Sequence, residues 1–357
     1  MVHNLDRMVD RWPTVVVRKG VPLVRLGIVV WCCCLGVATP LAAWWDAGHK
    51  LTAALAYQRL TPRQRHVLLT ILQQHPRFAS DFLAHRPDEV RNGGPHVEAE
   101  WLFQQAAIWP DQTRDFPPLE RDQFHRPTWH YVNFPLYLNP TDEPALQNLI
   151  RVNLDAVPPA EPSPDMNILQ ALTLARRQVA DPTTATPTRA VLLCWLLHTT
   201  GDIHQPLHST ALFSRHLFPE GCRGGNLVKT KQRRNLHALW DSLPGEQMSF
   251  HRAKSRAATL AAQPDVHQLG EQAANHMDLT TWVAESRELA AEVAYDREIL
   301  AVLRAAEAAG VAESPVIDLS EAYLRRAGTV AEHRVVVAGY RLAKMLGEIA
   351  DALDKAP

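Results

Sequence analysis

The stretch Thr186-Pro-Thr-Arg-Ala-Val-Leu-Leu-Cys-Trp-Leu-Leu-His198-Thr-Thr-Gly-Asp202-Ile-His-Gln-Pro206-Leu-His208 decides how the rest of this chain is read. Thr186 offers a capping hydroxyl, and Pro187 stands at a first helical position, where its missing N–H costs nothing. The spacing predicts a helix over 187–203, ended by Pro206, whose ring cannot continue it. On that helix His198 and Asp202 are four residues apart, which puts imidazole and carboxylate on one face. His208 follows six residues after Asp202, beyond the break. An apolar helix thus runs into a turn of metal-ligating side chains.

Working outward, helical spacing with few breakers recurs over 51–60, 61–74, 101–108, 168–179, 282–308 and 319–353, whereas alternating strand-like runs are scarce. The last two segments are long and Ala-rich, as packed antiparallel helices are. Eleven prolines lie between Pro110 and Pro164, so that stretch reads as loop-rich rather than as a second domain. No 20–50 residue repeat, GxGxxG, P-loop or GxSxG occurs, so nucleotide-fold and serine-hydrolase readings have no anchor. The expectation is one all-α domain over residues 44–357.

The 357 residues are 46% hydrophobic and 21% charged, which excludes collagen-like, low-complexity and wholly disordered chains. A formal net charge of -1 also excludes a polybasic coat for nucleic acid. At the amino end, Arg18, Lys19 and Arg25 precede a 12-residue apolar run from Leu26 to Val37, and Pro40-Leu-Ala-Ala43 ends in small residues. These are the parts of a secretory signal, and the run is too short to span a membrane. Residues 1–43 are therefore expected to leave on cleavage after Ala43, with the mature chain secreted or periplasmic. Cys194 and Cys222 would remain of the five cysteines; an exported compartment permits them to pair, and two free buried thiols are the alternative.

Seventeen His set the search for chemistry. Beyond His198, Asp202 and His208, the chain repeats the same spacing in His237-Ala-Leu-Trp-Asp241. Trp109-Pro-Asp111 and Trp129-His130-Tyr-Val-Asn133 add a carboxylate and an imidazole, and His49 stands five residues after Trp44. One such pair is usually an ordinary ion pair. Five His and three Asp together make a nitrogen-and-oxygen set suited to zinc, with manganese or iron allowed by ligand chemistry alone. Eight side chains exceed what one tetrahedral ion uses, so convergence would imply a multinuclear site.

Trp44-Trp-Asp-Ala-Gly-His49, Trp109-Pro-Asp111, His130-Tyr-Val-Asn133, His198 through His208, Gly224-Gly-Asn226 and His237 through Asp241 stand in the order of the S1/P1 nucleases, which the chain resembles. The resemblance implies a zinc-dependent, secreted, all-helical enzyme similar to bacterial zinc phospholipase C. It implies three Zn2+: one held by Asp111, His130, His198 and Asp202, one by His208, His237 and Asp241, and one by His49, by Asp202 as a bridge, and by the terminal amine and carbonyl of Trp44. It further implies that Asp111 orients the attacking hydroxide. Substrates would be single-stranded DNA and RNA, cut to 5′-phosphorylated products, and 3′-mononucleotides, with Tyr131 and Asn133 at the base and no obligate protein partner for a monomer. A packed core aromatic is the other reading of Tyr131. One departure is Trp45, where the family usually has Gly. His204 has no ligand role in the family and is expected as a supporting or surface residue. His66, His75, His85, His96 and His125 show no pairing pattern and are expected in solvent. Three rival readings stand beside the nuclease: a zinc phospholipase C, a non-catalytic zinc-binding protein, and a helical protein with surface His–Asp pairs.

Overall fold

In the computed structural model residues 44–355 are described, so the expected targeting segment, 1–43, lies outside the described residues. The first half holds α1 (Asp46–Arg59), α2 (Pro62–Leu72), α3 (Asp88–Asn92), α4 (Pro95–Gln112), α5 (Pro118–Phe124), α6 (Glu143–Leu146) and α7 (Ile168–Ala180). Then follow α8 (Thr186–Asp202), α9 (Leu236–Ser242), α10 (Phe250–Ala261), α11 (Pro264–Ala273), α12 (Leu279–Leu289), α13 (Arg297–Ala308) and α14 (Glu321–Asp354). The fold is all-α, as the periodicity predicts.

Local signals explain most starts. The Thr61 side chain accepts from Gln64 N while the Gln64 side chain accepts from Thr61 N, and Asn167 with Gln170 does the same for α7. At α8 the expectation is corrected: Ala185 is the cap residue, Thr186 is already helical, and no side chain caps the end. The segment read as one helix over 282–308 is two, because a π-helical turn over Ala290–Ala294 ends α12 and the Asp296 side chain accepts from Glu298 N and Ile299 N to start α13. Helix α4 runs through Pro110 rather than stopping at Ile108.

Helix α1 packs on α14, α4 and α10, while α8 packs on α7 and α4. The shared core includes Trp101, Phe103, Leu172, Leu193, Trp195, Leu342 and Leu346, all buried. Burial of each such side chain stabilises by roughly 1.5–3 kcal/mol, which fixes α4 and α8 side by side. A two-stranded parallel ladder, β1 (Phe134–Tyr137) on β2 (Thr210–Phe213) with Phe134 opposite Thr210, was not foreseen. It is too short for alternation to show. Its value is positional: Val132 N donates to His208 O (2.8 Å) and Phe134 N to Ser209 O (3.1 Å), tying the His130 loop to the His208 turn.

The pairing of Cys194 with Cys222 is corrected: both are free and buried. They lie in different apolar clusters, Cys194 on α8 among the main core and Cys222 beside β2, where its Sγ accepts from Leu212 N (3.1 Å) and Gly225 N (3.2 Å). Among the described residues no helix is long and apolar enough to cross a membrane.

Candidate metal centre

The apolar face of α8 faces the core up to Leu197, and the next turn carries His198 and Asp202, both fully buried. Helix α1 brings His49, whose ring stacks on His198 with centroids 3.8 Å apart. Gly201 makes that approach feasible, since a Cβ there would sit 2.9 Å from His49 Nδ1. The Trp129-His130 turn brings His130 against both, and the end of α4 brings Asp111.

Asp202 divides its oxygens between neighbours. Oδ1 lies 3.3 Å from His49 Nε2, whereas Oδ2 lies 3.0 Å from His130 Nδ1 and 3.2 Å from His198 Nε2. His198 Nε2 is also 3.9 Å from Asp111 Oδ1. In a separate set, His208 Nε2 is 3.8 Å from Asp241 Oδ1, and His237 Nε2 is 3.5 Å from Asp241 Oδ2. The ligand atoms form three sets, and within each set they lie within 4.8 Å of one another: His49, His198 and Asp202; Asp111, His130 and His198; and His208, His237 and Asp241. The eight side chains singled out from spacing all fall in these sets, and the first two sets share His198.

Backbone carbonyls fix the imidazoles. Nδ1 of His198 bonds Ala107 O (2.7 Å), Nδ1 of His208 bonds His130 O (2.6 Å) and Nδ1 of His237 bonds Gly224 O (2.6 Å). Each bond puts a proton on Nδ1 and leaves Nε2 as the ring atom that faces the carboxylates, as second partners of metal-bound histidines do. Ala107 lies one turn before Asp111 on α4, so one helix supplies both the carbonyl and the carboxylate beside His198. Gly224 has φ +57°, and a Cβ there would meet Leu207 O at 2.4 Å, so only glycine brings this carbonyl under His237. Asn235 caps α9 by accepting from Ala238 N, which sets His237 and Asp241 on one face of that helix.

Electrostatics follow from burial. Burial opposes charge on His198, but Asp202 and Asp111 reverse it and push its pKa up to about 9. Burial and the neighbouring His198 lower that of His49, and burial lowers His130. Asp202 is held well below the usual carboxylate range against burial by His198 and His49, while burial raises Asp241 well above it. The fit to a cation rests on orphaned atoms: His49 Nδ1 and Nε2, His130 Nε2, His208 Nε2 and Asp202 Oδ1 are buried without a hydrogen-bond partner. Buried lone pairs of this kind cost free energy unless something accepts them, and a divalent ion accepts several at once.

Trp44 is wholly buried, its indole N–H donating to Gly201 O (2.9 Å), and the next residue's N–H donates to Asp241 O (3.2 Å), so the Trp44–Trp45 segment runs along the site. Asp111 is half-buried at the mouth of a cleft of about 700 Å³ with Arg114, whose Nη2 donates to Asp111 Oδ1 (3.0 Å). Burial would raise the Asp111 pKa, but His198, His130 and Arg114 hold it low. Tyr131 and Asn133 are half-buried in a separate cavity of about 180 Å³ with Arg151 and Asn153, and no ligand candidate lines that cavity.

Other expectations change. His204 is not at the surface: it is buried, with Nδ1 on Thr200 O (2.7 Å) and Nε2 accepting from Arg341 (2.9 Å). His75 is buried and His125 half-buried, whereas His66, His85 and His96 are exposed as expected. Spacing missed Arg114, three residues past Asp111, and Gln205, whose side chain donates to Asp241 Oδ1 (2.8 Å). Gln205 lies inside the quoted block, but nothing in a linear pattern marks a neutral amide as a partner of a distant carboxylate.

A helical domain whose core opens onto buried His and Asp sets, each able to hold a metal ion, is the class that the fold and the site define. Within that class this chain belongs to the S1/P1 nuclease family: the family model described as S1/P1 Nuclease matches residues 44–351. No curated protein sequence matches it significantly. Membership makes the chain a nuclease-type phosphodiesterase of a zinc-dependent family, with nucleic acid as its substrate class.

Proposed function

We propose that the chain is a three-zinc phosphodiesterase that cuts single-stranded DNA and RNA to 5′-phosphorylated products and also acts on 3′-mononucleotides, after export and removal of residues 1–43. The observation that carries this reading is the sharing of Asp202: its two oxygens face different histidines, as a bridging carboxylate requires. Asp111, His130, His198 and Asp202 would hold one ion; His208, His237 and Asp241 a second; and His49, Asp202 and the Trp44 amine and carbonyl a third. Zinc supplies Lewis acidity that polarises phosphoryl oxygens and makes water a nucleophile near neutral pH.

The chain's own groups do the rest. Asp111, kept ionised and oriented by Arg114, accepts a hydrogen bond from the attacking water and aligns it with phosphorus. Arg114 also lines the cleft, and its fixed guanidinium draws a phosphodiester to the mouth. The ions replace the positive charge that a net charge of -1 lacks. Tyr131 and Asn133 would receive a splayed base, which favours single strands.

The test is hydrolysis of single-stranded DNA by the chain beginning at Trp44, followed through chelation and zinc replenishment. Loss and recovery of cleavage are expected, with about three zinc per chain and neither full zinc nor activity in Asp202→Ala. A folded, zinc-loaded chain that hydrolyses phosphatidylcholine but no single strand would transfer the proposal to a phospholipase, and zinc without hydrolysis of any phosphodiester would make it a binding protein.

A further inference from the structure

Trp44 and Trp45 are adjacent but differ in placement. Trp44 is buried with its indole N–H satisfied by Gly201 O, whereas the half-buried Trp45 lines two clefts beside the ligand sets. One is the cleft of Asp111 and Arg114; the other, of about 330 Å³, contains His237 and Asp241. The Trp45 N–H on Asp241 O (3.2 Å) fixes the residue to the backbone of a ligand candidate. The Arg233 guanidinium lies 5.5 Å from the Trp45 ring centroid, which holds the ring and sets a cation beside it.

The two clefts adjoin at Trp45 but differ in the charge that lines them. Asp46, Asp111, Asp115 and Glu246 line the first cleft against one Arg114, whereas exposed Arg233 and Arg234 line the second. Arg233 pairs with Glu246, but an exposed pair is worth little and yields to a phosphate. A polyanion longer than one nucleotide therefore leaves the ligand sets over the Arg233 side. An aromatic face beside backbone-tracking cations is the general device for holding single strands.

We propose that Trp45 is a stacking platform for a base of an extended single strand and that Arg233 and Arg234 hold the adjoining phosphates, so that this chain favours strands over mononucleotides. The inference rests on the nuclease reading above and adds the strand's path.

Binding is measured by fluorescence anisotropy with zinc-loaded protein and a cleavage-resistant phosphorothioate dT12 probe. Trp45→Ala is expected to weaken binding about tenfold or more and Trp45→Phe less than threefold, in keeping with the stacking energy of one base. The Arg233→Ala/Arg234→Ala variant should flatten the dependence of log affinity on log salt by about 0.7 per lost phosphate contact. The ratio of kcat/KM on the oligonucleotide to that on thymidine 3′-phosphate should fall in Trp45→Ala. Wild-type protein that fails to bind dT12 overturns the nuclease reading itself. Wild-type binding with Trp45→Ala within twofold overturns the platform alone; should Trp45→Ala not fold, Trp45→Leu within twofold does so, and an unchanged salt slope in the arginine variant overturns the phosphate contacts.

Discussion

At the residue scale, His75 shows how a histidine that looks idle in sequence is tied to stability. It is 3% exposed, lies edge-on to Trp109 (4.5 Å), and its Nδ1 accepts from Arg77 N (3.2 Å), so the neutral ring carries its proton on Nε2, which has no partner. Burial lowers its pKa from 6.5 to about 4. Between those values the unfolded chain binds a proton that the folded chain refuses, so stability is whole above pH 6.5 and falls as pH drops toward 4. From pH 7 to 5 the cost is about 2 kcal/mol, one proton over some 1.5 pH units below 6.5. Denaturant unfolding of wild type and His75→Leu at both pH values should show a loss larger in wild type by about that amount. Equal losses would show that His75 titrates no differently on unfolding. Nothing in its sequence neighbours announces this, because burial comes from α2, α4 and the turn after α2 meeting in space.

At the element scale, α8 and its polar turn were legible because proline, periodicity and His–Asp spacing coincide there. The break within 282–308 was not, since Ala-rich sequence favours helix on both sides and only Asp296 signals a new start. That break leaves Glu285 on α12 facing α14, where it pairs with Arg334 (2.8 Å) and Arg341 (2.6 Å). Arg334 Nε also donates to His204 O (3.1 Å), and Arg341 to His204 Nε2, so the ion cluster braces the turn directly after Asp202. Both guanidiniums are buried, and removing their common carboxylate leaves uncompensated charge at a cost of about 3 kcal/mol. Thermal unfolding of zinc-loaded protein should place Glu285→Gln several degrees below wild type. Glu348→Gln, which breaks the exposed Arg176 pair, should shift unfolding by less than about 1 kcal/mol. Equal shifts would mean that the cluster is no brace.

At the scale of the whole molecule, the candidate ligand sets draw on α1, α4, the His130 turn, α8, the His208 turn and α9, so zinc held there would be linked to folding. Spacing supplied all eight side chains; the Nδ1 carbonyl partners and the Gly224 cradle were not legible, because they are backbone contacts between distant segments. The Trp44–Trp45 segment is the most consequential link. Trp44 is buried against α8, and Trp45 N bonds Asp241 O, so the segment entering at residue 44 has a fixed course beside His49 and Asp202. If the Trp44 amine is a ligand, an amide in its place has no lone pair to give and the preceding residue intrudes on the ion. A chain with one added residue before Trp44 should therefore bind about one zinc fewer than the chain beginning at Trp44, unfold at lower temperature in saturating zinc, and lose most cleavage. Chelated, the two chains should unfold at nearly the same temperature, because the difference resides in the ion. Full zinc and full activity in the extended chain, its first residue verified by mass, would remove the terminal amine from the ligand set and uncouple processing from activation.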